Sequence, residues 1–278
     1  MARPLSGLTR AVAQQARGRW GFLSGGGFAR GRPQGRDGDL PGDPRPVTVV
    51  AHRGDPYRAR ENTLPSLRSA IEHGADAVEI DVRLTRDGVP VLLHDDSLKR
   101  LWGRDVPLAR LTHAEIESLT GGGVPTLRQA LAEAGEHRLM IDLPGATAES
   151  VRTVVGAVRA CGAGERVYYC AGPAAMLAVR SADPSAELAM TWTTLAPPRP
   201  VLLDAVRPRW LNYRFGLIGR ELTDRVHRQG MLVSAWTADT RRTMRRLVAC
   251  GVDSITTNRV DALGAVLREA RLSQGLRR

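Results

Sequence analysis

Between Val49 and Asp95 the chain concentrates side chains that can move protons, grip an anion or hold a metal ion: His52, Arg53, Glu61, Asn62, Glu79, Asp81 and His94. Several stand at or just beyond the ends of short apolar runs, where a barrel of alternating strands and helices places its chemistry. Glu79 and Asp81 flank Ile80, so on a strand their side chains share one face. Two carboxylates held together repel unless a cation neutralises them, and Mg²⁺ or Ca²⁺ with hard oxygen ligands are the natural partners. A solvent-facing polar strand would explain a lone pair of acids. The neighbours Val78, Ile80 and Val82 argue instead that both faces are buried.

Asp142, inside the apolar run Leu139–Leu143, is the best third metal ligand, with capping of the following helix as the alternative. His52 and His94 are candidate catalytic residues. Cleaving a phosphodiester needs one group to deprotonate the nucleophile and another to protonate the leaving oxygen, and imidazole suits both tasks near neutral pH. Arg53 fits a two-point grip on a phosphate oxygen pair. Glu61-Asn62-Thr63 reads either as a helix N-terminus or as site residues that orient the phosphate, the metal or His52. Trp236 forms a wall of the substrate pocket or merely closes the barrel top. Asn212 and Thr257-Asn258 are weaker signals in similar strand-end positions. His73, His113, His137 and His227 fall in helical or loop patterns and read as surface residues.

Strands are expected at Val47–Ala51, Ala77–Val82, Arg138–Leu143, Arg166–Cys170, Glu187–Thr191, Trp210–Tyr213, Leu232–Trp236 and Ser254–Thr257. Helical patterns fill Leu64–His73, Thr126–Ala134, Ala148–Ala160, Ala174–Ser181, Gly219–Gln229 and Thr240–Ala249, while Pro pairs blur a helix over 195–204. The run Val89–His94 follows Ala77–Val82 after only Leu84-Thr85-Arg86-Asp87-Gly88. That link permits a hairpin and forbids a parallel crossover, so it should be an antiparallel excursion returning His94 to the barrel mouth. Setting it aside leaves eight parallel strands, the number of a closed (β/α)8 TIM barrel.

A chain of 278 residues with 42% apolar and only 4% aromatic residues can bury a sizeable, mostly aliphatic core. Its net charge of +11 invites a nucleic-acid reading. However, the first 36 residues hold seven arginines and no acid, so the excess sits in a segment and not on a surface stripe, and no nucleic-acid partner is expected. Residues 1–45, rich in Gly, Arg and Pro, are expected to be a disordered tail, with weak contact to an anionic membrane surface as an alternative role. The barrel is expected over 46–278. Three cysteines without a CxxC pair argue against a disulfide framework, and the absence of an apolar run long enough to span a bilayer points to a cytoplasmic protein.

The strings HRG (52–54), ENT (61–63), ExD (79–81), TRDG (85–88) and HD (94–95) resemble, in order and spacing, the glycerophosphodiester phosphodiesterase family. Trp236-Thr237 followed by GVDSITTN, ending at Asn258, is similar to that family's closing strands, and the likeness runs from about Val47 to Val266. It implies a TIM barrel of the phosphodiesterase type that hydrolyses glycerophosphodiesters to glycerol 3-phosphate and an alcohol with one divalent cation, Mg²⁺ or Ca²⁺. It also implies that Glu79, Asp81 and Asp142 bind the metal, that His52 and His94 are acid and base, and that the substrate's adjacent glycerol hydroxyl attacks phosphorus. The family usually reads Glu-x-Lys where this chain has Asp142-Leu143-Pro144, so its phosphate-facing lysine is absent. Lys99, the only lysine, lies elsewhere; Arg53 with Arg60 or Arg214 is the candidate replacement. Two other readings accompany this departure: a phospholipase D-like enzyme acting on lysophospholipids, and a non-catalytic phosphodiester binder.

Overall fold

The computed structural model describes residues 47–275, so the segment expected to be a disordered tail over 1–45 lies outside the described residues. In chain order the elements are β1 (Thr48–Ala51), α1 (Leu64–Glu72), β2 (Ala77–Leu84), β3 (Pro90–Leu92), α2 (Lys99–Trp102), α3 (His113–Thr120) and α4 (Leu127–Ala134). There follow β4 (Arg138–Asp142), α5 (Ala148–Ala160), β5 (Val167–Ala171), α6 (Pro173–Ala182), β6 (Glu187–Trp192), α7 (Pro200–Val206) and β7 (Trp210–Arg214). The chain ends with α8 (Arg220–Arg228), β8 (Leu232–Trp236), α9 (Arg241–Cys250), β9 (Ser254–Thr257) and α10 (Val260–Gly275).

Eight of the nine strands pair in parallel, and β1 joins both β2 and β9 to close the barrel. Aliphatic side chains such as Ile80, Ile141, Leu188 and Val233 are fully buried between the strands and the helical ring. Inside the barrel, Val50, Met140, Tyr168 and Trp210 fill the lower layers, so the mouth has a floor and the barrel is not a pore. Helix starts follow their capping chemistry: Thr63 begins α1, Thr126 begins α4 and Thr147 begins α5, each accepting a backbone N–H from the residue three on. Pro200 at the first position starts α7 and resolves the blurred segment, since proline lacks only an N–H that would go unused there.

β3 runs antiparallel to β2, with Val82 opposite Leu92, as the short Thr85–Val89 link requires. The excursion that it opens is larger than a hairpin. It includes α2 and α3, and Val91, Leu93, Leu98, Leu108, Ile116 and Val124 form a small core of their own, separate from the barrel's. The α2, α3 and α10 helices were not read from the sequence pattern. α2 has only four residues, α3 buries Ile116 alone and so shows no apolar stripe, and α10 follows the last strand without a recognisable break. Among the described residues no helix is long and apolar enough to cross a membrane.

Candidate active site

Register places the acids. Asp81 on β2 pairs with Asp142 on β4, and Glu79 stands two residues below Asp81 on the same inward face. Glu79, Asp81 and Asp142 each turn an oxygen into one cluster whose ligand atoms lie within 4.8 Å of one another. Glu79 and Asp81 are almost fully buried. Burial first, then repulsion from Asp81 and Asp142, holds the Glu79 carboxyl well above the ordinary range. Burial and Asp81 likewise push Asp142 up to about 7. An all-oxygen, hard, mutually repelling donor set buried in this way fits a divalent cation, whose charge would relieve each of these costs. Asp142 does not cap α5, because Thr147 does.

The β1–α1 loop braces this cluster. Arg53 and Asn62 both adopt positive φ, near 57° and 56°, conformations that branched or bulky residues rarely tolerate. Held so, Arg53 donates its backbone N–H to Glu79 Oε2 at 2.8 Å, and its Nε lies 3.1 Å from Asp81 Oδ2. Asn62 is buried behind Asp81, donating Nδ2 to Oδ2 at 2.8 Å and accepting the Asp81 backbone N–H at 3.1 Å. Gly54 (φ +88°) permits the turn, since a Cβ there would fall 2.7 Å from the Ser66 backbone.

A cavity of about 240 Å³ opens above the acids, lined among others by His52, Arg53, His94, Cys170, Thr191, Asn212 and Trp236. His52 Nδ1 lies 2.9 Å from Asn258 Oδ1. Asn258 gives Nδ2 to Asp239 Oδ2 at 2.8 Å and its backbone N–H to Asp239 Oδ1, so the amide's orientation is fixed. The amide oxygen can only accept, hence Nδ1 of His52 carries the proton and Nε2 keeps a lone pair. Burial and the Arg53 charge outweigh the Asn258 bond and hold the His52 pKa below its usual value, favouring the neutral ring. Also lining the cavity, His94 has its Nδ1 2.8 Å from Asp95 Oδ1, a carboxylate that Arg100 and His94 hold down at about 2.

The profile of the glycerophosphoryl diester phosphodiesterase family matches residues 52–262, a stretch that contains all of these groups. The chain belongs to that family. The glycerophosphodiester phosphodiesterase of Caldanaerobacter subterraneus is 26% identical over 80% of this chain and 98% of its own. Human glycerophosphodiester phosphodiesterase 1 is 37% identical over 107 residues, which make up 34% of this chain and 32% of the human one. The chain's match thus spans about a third of the length of the human relative. An Oleispira antarctica phosphodiesterase solved in complex with the product sn-glycerol-3-phosphate superimposes with a TM-score of 0.72 at 22% identity, covering 80% of this chain and 96% of that one; this likeness establishes the shared barrel.

Within this family member, His52, Arg53, Glu79, Asp81, His94, Asp142 and Trp236 all line the one cavity. Glu61 and Asn62 stand behind that lining: Glu61 accepts Arg53 Nη1 at 2.9 Å, and Asn62 faces Asp81. Of the arginines weighed as substitutes for the absent lysine, only Arg53 lines the cavity; Arg60 lies over the Trp102 ring and Arg214 is exposed. Asn258 has a stronger position than its strand-end signal suggested, and Asp239 and Arg100 were missed. Each meets its partner from a distant part of the chain or across a loop, and no local motif announces such pairings.

Proposed function

We propose that this chain hydrolyses glycerophosphodiesters to glycerol 3-phosphate and an alcohol, using one divalent cation, Mg²⁺ or Ca²⁺. The observation that carries the reading is the convergence of three carboxylates and two differently partnered histidines on one small cavity. Glu79, Asp81 and Asp142 would hold the cation, which when bound supplies positive charge to the phosphoryl oxygens and lowers the pKa of a nearby hydroxyl.

His52 is the base of the first step. Its Nε2 takes the proton of the glycerol hydroxyl next to the phosphoester, whose oxygen then attacks phosphorus to close a five-membered cyclic phosphate. The bond from phosphorus to the leaving alcohol breaks, and His94, charged against Asp95, gives its proton to that oxygen. In the second step the neutral His94 takes a proton from water, whose oxygen attacks phosphorus; the ring P–O bond formed in the first step breaks, His52 returns its proton to that oxygen, and both histidines end as they began. Arg53 pairs with the phosphate, Asp81 would contribute to holding the cation, and Glu61 and Asn62 keep Arg53 and Asp81 in place. Trp236 gives the pocket an apolar wall with an indole N–H.

The test is release of glycerol 3-phosphate from glycerophosphocholine, glycerophosphoethanolamine and glycerophosphoinositol by a coupled assay with Mg²⁺ or Ca²⁺. Turnover should vanish with EDTA, and His52→Ala should lower it by about 10²–10⁴-fold. A cation-loaded chain that turns over none of the three refutes the reading.

A further inference from the structure

The polar seam between the barrel and the excursion touches both ends of this chemistry without belonging to it. Arg100, on α2, forks onto two carboxylates at once. Its Nε and Nη2 reach Asp95 at 2.6 and 3.1 Å, and its Nη1 and Nη2 reach Glu61 at 3.1 and 2.6 Å. Each carboxylate makes its remaining contact toward the pocket. Glu61 Oε1 accepts Arg53 Nη1 at 2.9 Å, and Asp95 Oδ1 meets His94 Nδ1 at 2.8 Å. The result is a chain of alternating charge, Arg53–Glu61–Arg100–Asp95–His94, across the mouth.

We propose that Arg100 is a positioning residue that clasps the excursion to the β1–α1 loop and so orients His94 and Arg53 together. The proposal rests on reading the cavity as a phosphodiesterase site. Arg53 and Glu61 belong to the barrel loop, whereas His94, Asp95 and Arg100 belong to the excursion, whose apolar core is separate. Leu92 on β3 packs into the barrel core and anchors the backbone beside His94, but no apolar packing sets the orientation of the imidazole relative to Arg53. The other ties at this seam, Arg83 Nε to the His94 carbonyl at 2.8 Å and the Leu93 N–H to the Asp81 carbonyl at 3.0 Å, fix backbone and leave the imidazole free to turn. Among the described residues only the Asp95 carboxylate engages the ring nitrogen, and Arg100 holds both of its oxygens.

The side chain of Arg100 is 46% exposed, so its ion pairs add little to stability, and what it contributes is geometry. Lysine could satisfy one carboxylate but not fork both, because an ammonium is a point charge on a flexible stem.

The experiment compares the full chain with Arg100→Gln and Arg100→Lys by two readouts. Ring-nitrogen NMR of the cation-free proteins, taken at alkaline pH where the imidazole is neutral and with His94 assigned through His94→Gln, should show one Nδ1–H tautomer in the parent. It should show a mixture in Arg100→Gln and an intermediate state in Arg100→Lys. With Mg²⁺ or Ca²⁺, Arg100→Gln should lose about tenfold or more in kcat with KM changed by less than about threefold, as lost orientation of an acid predicts. Arg100→Lys should regain part of that loss. An unchanged tautomer in Arg100→Gln overturns the proposal, as does wild-type behaviour of either variant in both readouts. An activity loss that merely follows a lower melting temperature overturns it as well. If the parent itself cleaves no diester, the functional reading fails, yet the tautomer comparison still decides the role of Arg100.

Discussion

Without the divalent cation they are proposed to hold, three clustered carboxylates should make this barrel less stable as pH rises through neutrality. Asp142 is held at about 7, against an ordinary value of 3.8, and Glu79 is raised in the same direction. Between those limits the unfolded chain has released the Asp142 proton while the cation-free fold retains it. The native state then binds more protons, and stability falls with pH until the folded group ionises. The full gap corresponds to about 4 kcal/mol at 1.36 kcal/mol per decade of proton affinity. Asp142 is partly solvated at its strand end, and only the decades above pH 5 are sampled, so roughly 1–3 kcal/mol should appear between pH 5 and 8. For a folded domain of this size that is a loss of roughly 3–10 °C in Tm. His52, whose pKa is lowered, works oppositely below its usual value, so the informative quantity is the difference between parent and Asp142→Asn. Thermal melts in EDTA from pH 5 to 8 should show a steeper fall in the parent than in Asp142→Asn. Saturating Mg²⁺ or Ca²⁺ should raise the parent's Tm more at pH 8 than at pH 5, because at the lower pH the cation must displace protons. Equal slopes in the two proteins, or cation stabilisation independent of pH, would refute the reasoning.

Asn258→Ala removes the acceptor that fixes the His52 tautomer; kcat should fall about 10–100-fold with little change in Tm, measured by steady-state kinetics beside a thermal melt. Gly54→Ala forces a Cβ to within 2.7 Å of the Ser66 backbone at φ +88°, and should cost more than about 2 kcal/mol in urea unfolding. Arg53→Lys keeps a charge but loses the simultaneous contacts to Glu61 and Asp81, and should raise KM for the diester about tenfold in a substrate titration.

What the sequence made legible was whatever period and local chemistry encode. Eight short apolar runs with polar ends yield the barrel, and the alternation of Glu79 with Asp81 puts both acids inside it. The five-residue link after Leu84 yields the antiparallel return that carries His94. What was hidden depends on partners far along the chain. Asn258 lies 206 residues from His52, and Arg100 lies 39 from Glu61; neither pairing leaves a trace in local pattern. Asn62 shows a third limit. Its type suits a helix cap, but a left-handed backbone turns it inward to brace Asp81, and Thr63 takes the capping position.

The most direct measurement of the central claim is ³¹P NMR of the cation-loaded chain with glycerophosphocholine, run beside His52→Ala and His94→Ala. The account expects the diester resonance to give way to that of the glycerol 3-phosphate monoester in the parent alone, with any cyclic phosphate appearing only in passing. A diester signal that persists while the cation raises the parent's Tm, and fails to raise that of Asp142→Asn, would contradict it.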